Sequence, residues 1–183
     1  MMIPSASQTV GPFFNYALTT DPALGVLAKD GARGERIRLT FRVLDGDGAP
    51  TPADSLIEVW QADGDGRYQH PLDPRAADAD PLFCGFGRLE TDVDGECSFV
   101  TVKPGSVDGQ APHVNVAVFA RGLLRHLYTR VYFAGDPRNA TDAVLSLVPE
   151  ERRRTLLAQH RGGDSWFLEI RLQGENETVF FDL

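Results

Sequence analysis

Cysteine is nearly missing: Cys84 and Cys97 are the only two in 183 residues. They form no Cys-x-x-Cys pair, so neither a disulfide framework nor a thiolate metal knuckle is available. Both are expected inside, as small apolar residues. Long apolar runs are missing too, since no stretch reaches the ~18 residues a spanning helix needs. The opening Met1-Met-Ile-Pro-Ser-Ala-Ser-Gln-Thr-Val-Gly11 lacks the basic head and apolar run of a secretory leader, so a soluble cytoplasmic protein is expected. Positive charge is in deficit: 18 Lys and Arg against 26 Asp and Glu leave a formal charge of −8. That balance repels phosphate backbones and anionic lipid, so neither nucleic acid nor membrane is expected as a main partner. No internal repeat or low-complexity tract occurs.

Glycine (18) and proline (12) are plentiful and suit many turns better than a helical bundle. The length fits one domain with a sizeable core. Residues 1–34 are polar, Gly/Pro-rich and weakly periodic, and read as an extended N-terminal arm, loose or docked on a partner. Residues 35–183 then hold the folded domain. Apolar and polar residues alternate along 37–44, the signature of a half-buried strand. Further strands are expected at 56–61, 86–91, 96–102, 114–119, 127–133, 165–172 and 178–182, the last two as a hairpin across Gly174-Glu-Asn-Glu177. Asp45-Gly-Asp-Gly48, Asp63-Gly-Asp-Gly66 and Asp92-Val-Asp-Gly95 mark turns. About eight short strands with polar turns define an all-β chain, a β-sandwich. Two short helices are expected at 139–147 and 150–159, the second with Pro149 at its first position and Arg152-Arg-Arg154 on a solvated face.

The segment Ala111-Pro-His-Val-Asn-Val-Ala-Val-Phe119 carries half of a metal site. Strand side chains alternate, so His113 and Asn115 point the same way. Two histidines at this spacing would put two imidazoles on one metal. Here the second position is an amide, uncharged and weakly basic. This chain is therefore expected to shape a site whose metal another chain carries.

Six further segments join this one: Ser7-Gln-Thr-Val-Gly-Pro-Phe13, Leu56-Ile-Glu-Val-Trp-Gln-Ala-Asp63, Gly66-Arg-Tyr-Gln69, Thr101-Val-Lys-Pro-Gly105, Leu127-Tyr-Thr-Arg-Val-Tyr-Phe133 and Gly174-Glu-Asn-Glu-Thr-Val-Phe-Phe-Asp182. In this order and spacing the chain resembles the intradiol ring-cleaving dioxygenases along nearly its whole length. The resemblance implies cleavage of a catechol between its hydroxyls by O₂ at an Fe(III) centre held by two tyrosines and two histidines. Phenolate and imidazole suit a hard ferric ion. On this chain Tyr68 matches one tyrosine position and His113 the first histidine. Asn115 stands at the second histidine, and the other tyrosine position falls near Ser106 and Val107. Tyr68, His113 and Asn115 are thus expected as vestiges, with no metal on this chain alone and no catalytic residue of its own.

In heteromeric members of the family the site lies between an alpha and a beta chain, with iron on beta. The resemblance then implies a beta-chain partner, an aromatic substrate and O₂, with part of the pocket wall supplied by this chain's arm, Thr9-Val-Gly-Pro-Phe13. Thr9 offers a hydroxyl, Gly11 lets backbone approach a ligand, Pro12 fixes the bend, and Phe13 adds an apolar ring. Arg130, flanked by Tyr128 and Tyr132 on one strand face, is a candidate clamp for a planar carboxylate or an interfacial ion pair. From another class, a free-standing, non-catalytic sandwich module that binds a ligand or partner also accounts for the strands.

Overall fold

The computed structural model describes residues 7–9, 11, 16–51 and 55–182. Eight strands run among them: β1 (Arg36–Leu44), β2 (Leu56–Trp60), β3 (Phe86–Glu90), β4 (Glu96–Val102), β5 (His113–Phe119), β6 (Leu127–Phe133), β7 (Leu157–Gly162) and β8 (Ser165–Arg171). Their order is β3-β2-β5-β6-β7-β8-β1-β4. The first four make one antiparallel sheet. β7, β8, β1 and β4 make the second, and a short parallel step, Tyr132↔Leu157 and Phe133↔Ala158, links the two.

Alternation decides which face is buried. Ile37, Leu39, Phe41 and Val43 of β1 point inward with Leu168 and Ile170 of β8, against Ile57, Val59, Val114, Val116, Val118 and Val131 of the facing sheet. Each fully buried side chain of this size contributes about 1.5–3 kcal/mol, so this one layer holds most of the fold together. β1 lies between β4 and β8, antiparallel to the first and parallel to the last, from Arg38↔Ser165 to Leu44↔Arg171.

Part of the 1–34 segment is built into this body. The Leu27 N–H donates to Val100 O (2.8 Å), the Lys29 N–H to Leu82 O (2.9 Å), and Leu27 O accepts from the Cys84 N–H (2.8 Å). Residues 26–29 thus cover the free edge of β4 and bridge it to the strand entering β3. Gly87 makes room: a Cβ there would lie 2.6 Å from Leu27 Cδ1. At Val100 the edge is thus occupied by the same chain.

The C-terminal third departs from the sequence reading. Residues 157–162 form β7 rather than the end of a helix. The expected helices shrink to 3₁₀ turns at Pro137–Thr141 and Leu145–Leu147, then helix α1 (Glu150–Arg153) and a turn at Arg154–Leu156. Pro149 caps α1 from outside instead of starting it. Residues 178–182 do not pair as a strand hairpin: the Thr178 N–H reaches Arg171 O, while the Phe181 N–H donates to Tyr128 O on β6. Cys97 is buried, but Cys84 is exposed, because the plugging segment takes up its backbone and leaves its side chain outside.

Candidate functional site

The outer face of β5 and β6 carries the site. Their register sets His113 opposite Tyr132 and Asn115 opposite Arg130, and β2 places Trp60 beside Asn115. Val114, Val116, Val131 and Phe133 take the core face, so these polar side chains share the other one. The parity expected from sequence holds.

Arg130 is the hub. Its Nε donates to Asn115 Oδ1 (3.1 Å) and its Nη1 to Gln110 Oε1 (2.6 Å). Asn115 Nδ2 donates to Trp60 O (3.3 Å). The Nε and Nη1 sides of this guanidinium are therefore engaged within the chain.

Behind this layer lies a residue the sequence did not single out. Asp142 is fully buried. Its Oδ1 accepts from Tyr132 Oη (3.1 Å), Val144 N (3.0 Å) and Leu145 N (2.7 Å), and its Oδ2 from Ala111 N (2.8 Å). Ala111 O in turn meets His113 Nδ1 (2.8 Å), which fixes the imidazole. Burial holds His113 below the ordinary histidine value, the Ala111 carbonyl opposes that shift, and the charge of Arg130 reinforces it. Burial pushes Tyr132 up to about 12, a phenol that stays protonated.

Tyr68 stands at the edge of the same face. Its ring stacks on Trp60 (centroids 5.7 Å, interplanar 7°), with His70 edge-on to the indole. Burial raises the Tyr68 hydroxyl above the usual phenol range; the charge of Arg130 opposes this only in part. A cleft of about 460 Å³ opens here, lined among others by Trp60, Tyr68, His70, Leu72, Arg75 and Val107. Gly66 makes the approach possible: its φ is +77°, and a Cβ would fall 2.1 Å from Ser106 O. The tight turn Val107–Gln110, with Asp108 at φ 49°, thereby lies against the strand leading to Tyr68 and aims Gln110 at Arg130.

The arm meets the body elsewhere. Thr9 Oγ1 accepts from the Gly122 N–H (2.7 Å) in the β5–β6 hairpin, beside Arg121. Arg130 lies three residues into β6, about 10 Å further at strand rise. Thr9 and Arg130 are therefore not brought together within this chain. Gly11 has open space around its Cα; Pro12 and Phe13 lie outside the described residues.

The donor set does not fit a ferric ion. The second tyrosine position falls near Ser106 and Val107, neither a phenol, and Asn115 uses its amide on Trp60 and Arg130. Among the described residues no group of three or more His, Cys, Asp or Glu could hold a metal.

A family model described as Dioxygenase matches residues 9–172. The chain belongs to the intradiol ring-cleaving dioxygenase family of oxidoreductases. It is 41% identical to the protocatechuate 3,4-dioxygenase alpha chain of Burkholderia cepacia, across 97% of this chain and 96% of that one. The beta chain from the same organism is 41% identical over 133 residues, 69% of this chain and 56% of its own length. Among solved structures, the dioxygenase domain of a carbohydrate-binding fusion protein from Streptomyces sp. SirexAA-E superposes with a TM-score of 0.64 at 25% identity, covering 94% of this chain and 99% of that one.

Proposed function

We propose that this chain is the alpha subunit of a protocatechuate 3,4-dioxygenase and works with a beta chain that carries Fe(III). The reaction is the O₂-dependent opening of 3,4-dihydroxybenzoate, between its hydroxyls, to 3-carboxy-cis,cis-muconate. The end-to-end identity with an alpha chain carries this reading. The site supports it, because a chain that cannot secure the metal needs a neighbour that can.

Iron bound by the beta chain would supply the chemistry that joins the catechol to O₂. This chain shapes and orients. Thr9, Gly11, Pro12 and Phe13 form part of the pocket wall, with the arm anchored through Thr9 on the β5–β6 hairpin. Arg130, held by Asn115 and Gln110 on a face apart from Thr9, is a fixed positive charge rather than a mobile clamp.

Co-production with a beta-type chain tests the reading. Alone, the chain is expected iron-free and inactive; with beta it enters a complex that contains iron and consumes O₂ with 3,4-dihydroxybenzoate. Removing residues 1–15 is expected to raise KM about tenfold while iron content stays unchanged. A 20.1 kDa monomer that ignores the beta chain would point instead to a free-standing sandwich module.

A further inference from the structure

Asn115, one of three remnants of a ligand set, stands opposite Arg130 in the β5–β6 register and accepts from its Nε (3.1 Å), while Gln110 accepts from its Nη1 (2.6 Å). His113 and Tyr132 share that strand face, and Tyr68 stands at its edge, stacked on Trp60. The charge of Arg130 acts on Tyr68 and on His113. We propose that Arg130 is the resident cation of this chain's own site: its guanidinium takes the place a metal ion would hold among these side chains, and bars ferric iron independently of the two missing donors.

The chemistry of the surroundings fits a guanidinium. Two neutral amide oxygens, Asn115 Oδ1 and Gln110 Oε1, accept from Nε and Nη1 in the planar fork an arginine presents. A trivalent ion entering here would face a positive charge at contact range in a half-buried setting, where repulsion is several-fold stronger than in water. The site therefore keeps its shape with no metal, and supplying the absent donors is not enough to load it. This concerns the chain by itself and stands whether or not it serves the proposed reaction.

The test uses the full-length chain purified alone, with iron per chain and the visible ferric–phenolate absorption as readouts. Val107→Tyr with Asn115→His restores the number of donors. With Arg130 kept, this chain is expected to stay colourless and hold less than about 0.1 iron per chain. Adding Arg130→Gln is expected to tighten ferric binding at least about a hundredfold and bring the colour. Arg130→Lys on the same background keeps the charge and is expected to stay iron-free. Iron uptake with Arg130 or Lys in place overturns the proposal. So does a folded Gln variant that refuses iron. Should the Gln variant lose its circular dichroism, the Arg and Lys chains decide between them.

Discussion

Replacing Asp142 by alanine strips four donors at once. Three are backbone N–H groups, of Ala111, Val144 and Leu145, and the fourth is the Tyr132 hydroxyl. The position is fully buried, so water cannot reach these donors without rearrangement. Each orphaned donor costs about 1–3 kcal/mol, and local relaxation shares the loss among them, which gives about 4 kcal/mol for the set. That is a large part of the 5–15 kcal/mol that domains possess. Asp142→Asn keeps one acceptor oxygen and is expected to lose about half as much. Urea unfolding of the full-length chain, followed by circular dichroism, reads both values at an unchanged m. The variant also frees Ala111, whose carbonyl fixes His113, so the His113 ring resonances are expected to broaden. A loss below about 1 kcal/mol for Asp142→Ala would refute the reasoning.

Other perturbations separate the remaining forces. Arg138, then Lys103, holds the buried Asp136 carboxyl down to about 2, from an ordinary 3.8. A depressed carboxylate stabilises the fold above its unfolded value, so about 2 kcal/mol is expected to fade as pH falls from about 4 towards 2. Asp136→Asn should flatten that limb in urea titrations across pH. Gly66→Ala forces a Cβ onto Ser106 O at positive φ; it is expected to cost at least about 2 kcal/mol and to shift the near-ultraviolet signal of the Trp60–Tyr68 stack. Leu27→Ala empties the edge plug and is expected to lose about 3 kcal/mol by urea unfolding.

The strands were legible where one face is apolar and the other wet. Ile37-Arg-Leu-Thr-Phe-Arg-Val and Leu-Tyr-Thr-Arg-Val-Tyr-Phe133 alternate so cleanly that the buried and site faces could be assigned by parity. The same parity set His113 with Asn115 and Arg130 with Tyr132, but only the β5–β6 register brings the two pairs together. Residues 157–162 misled because Thr-Leu-Leu-Ala-Gln favours helix locally, while pairing with β6 and β8 wins in the fold. The tail at 178–182 looked like a strand, but only Thr178 bonds back to Arg171, while Val179 O accepts from Thr129 Oγ1 and the Phe181 N–H donates to Tyr128 O on β6. Asp142 was hidden inside an expected helix. Its one signal is a cap: an Asp whose side chain receives the N–H groups two and three residues on. Gln110 sits in a turn, where periodicity carries no information, and only the fold aims it at Arg130.

The parallel pairing of β1 with β8 joins the beginning of the body to its end. A nascent chain on the ribosome exposes β1 with one flank bare until residue 171 has been made. The facing layer is made by residue 133, but β1's own sheet gains Leu168 and Ile170 only then, so the last step of folding is largely post-translational. Shortening the C-terminus into β8 would leave an aggregation-prone strand rather than a smaller working domain, whereas extensions beyond residue 182 leave this closing step untouched.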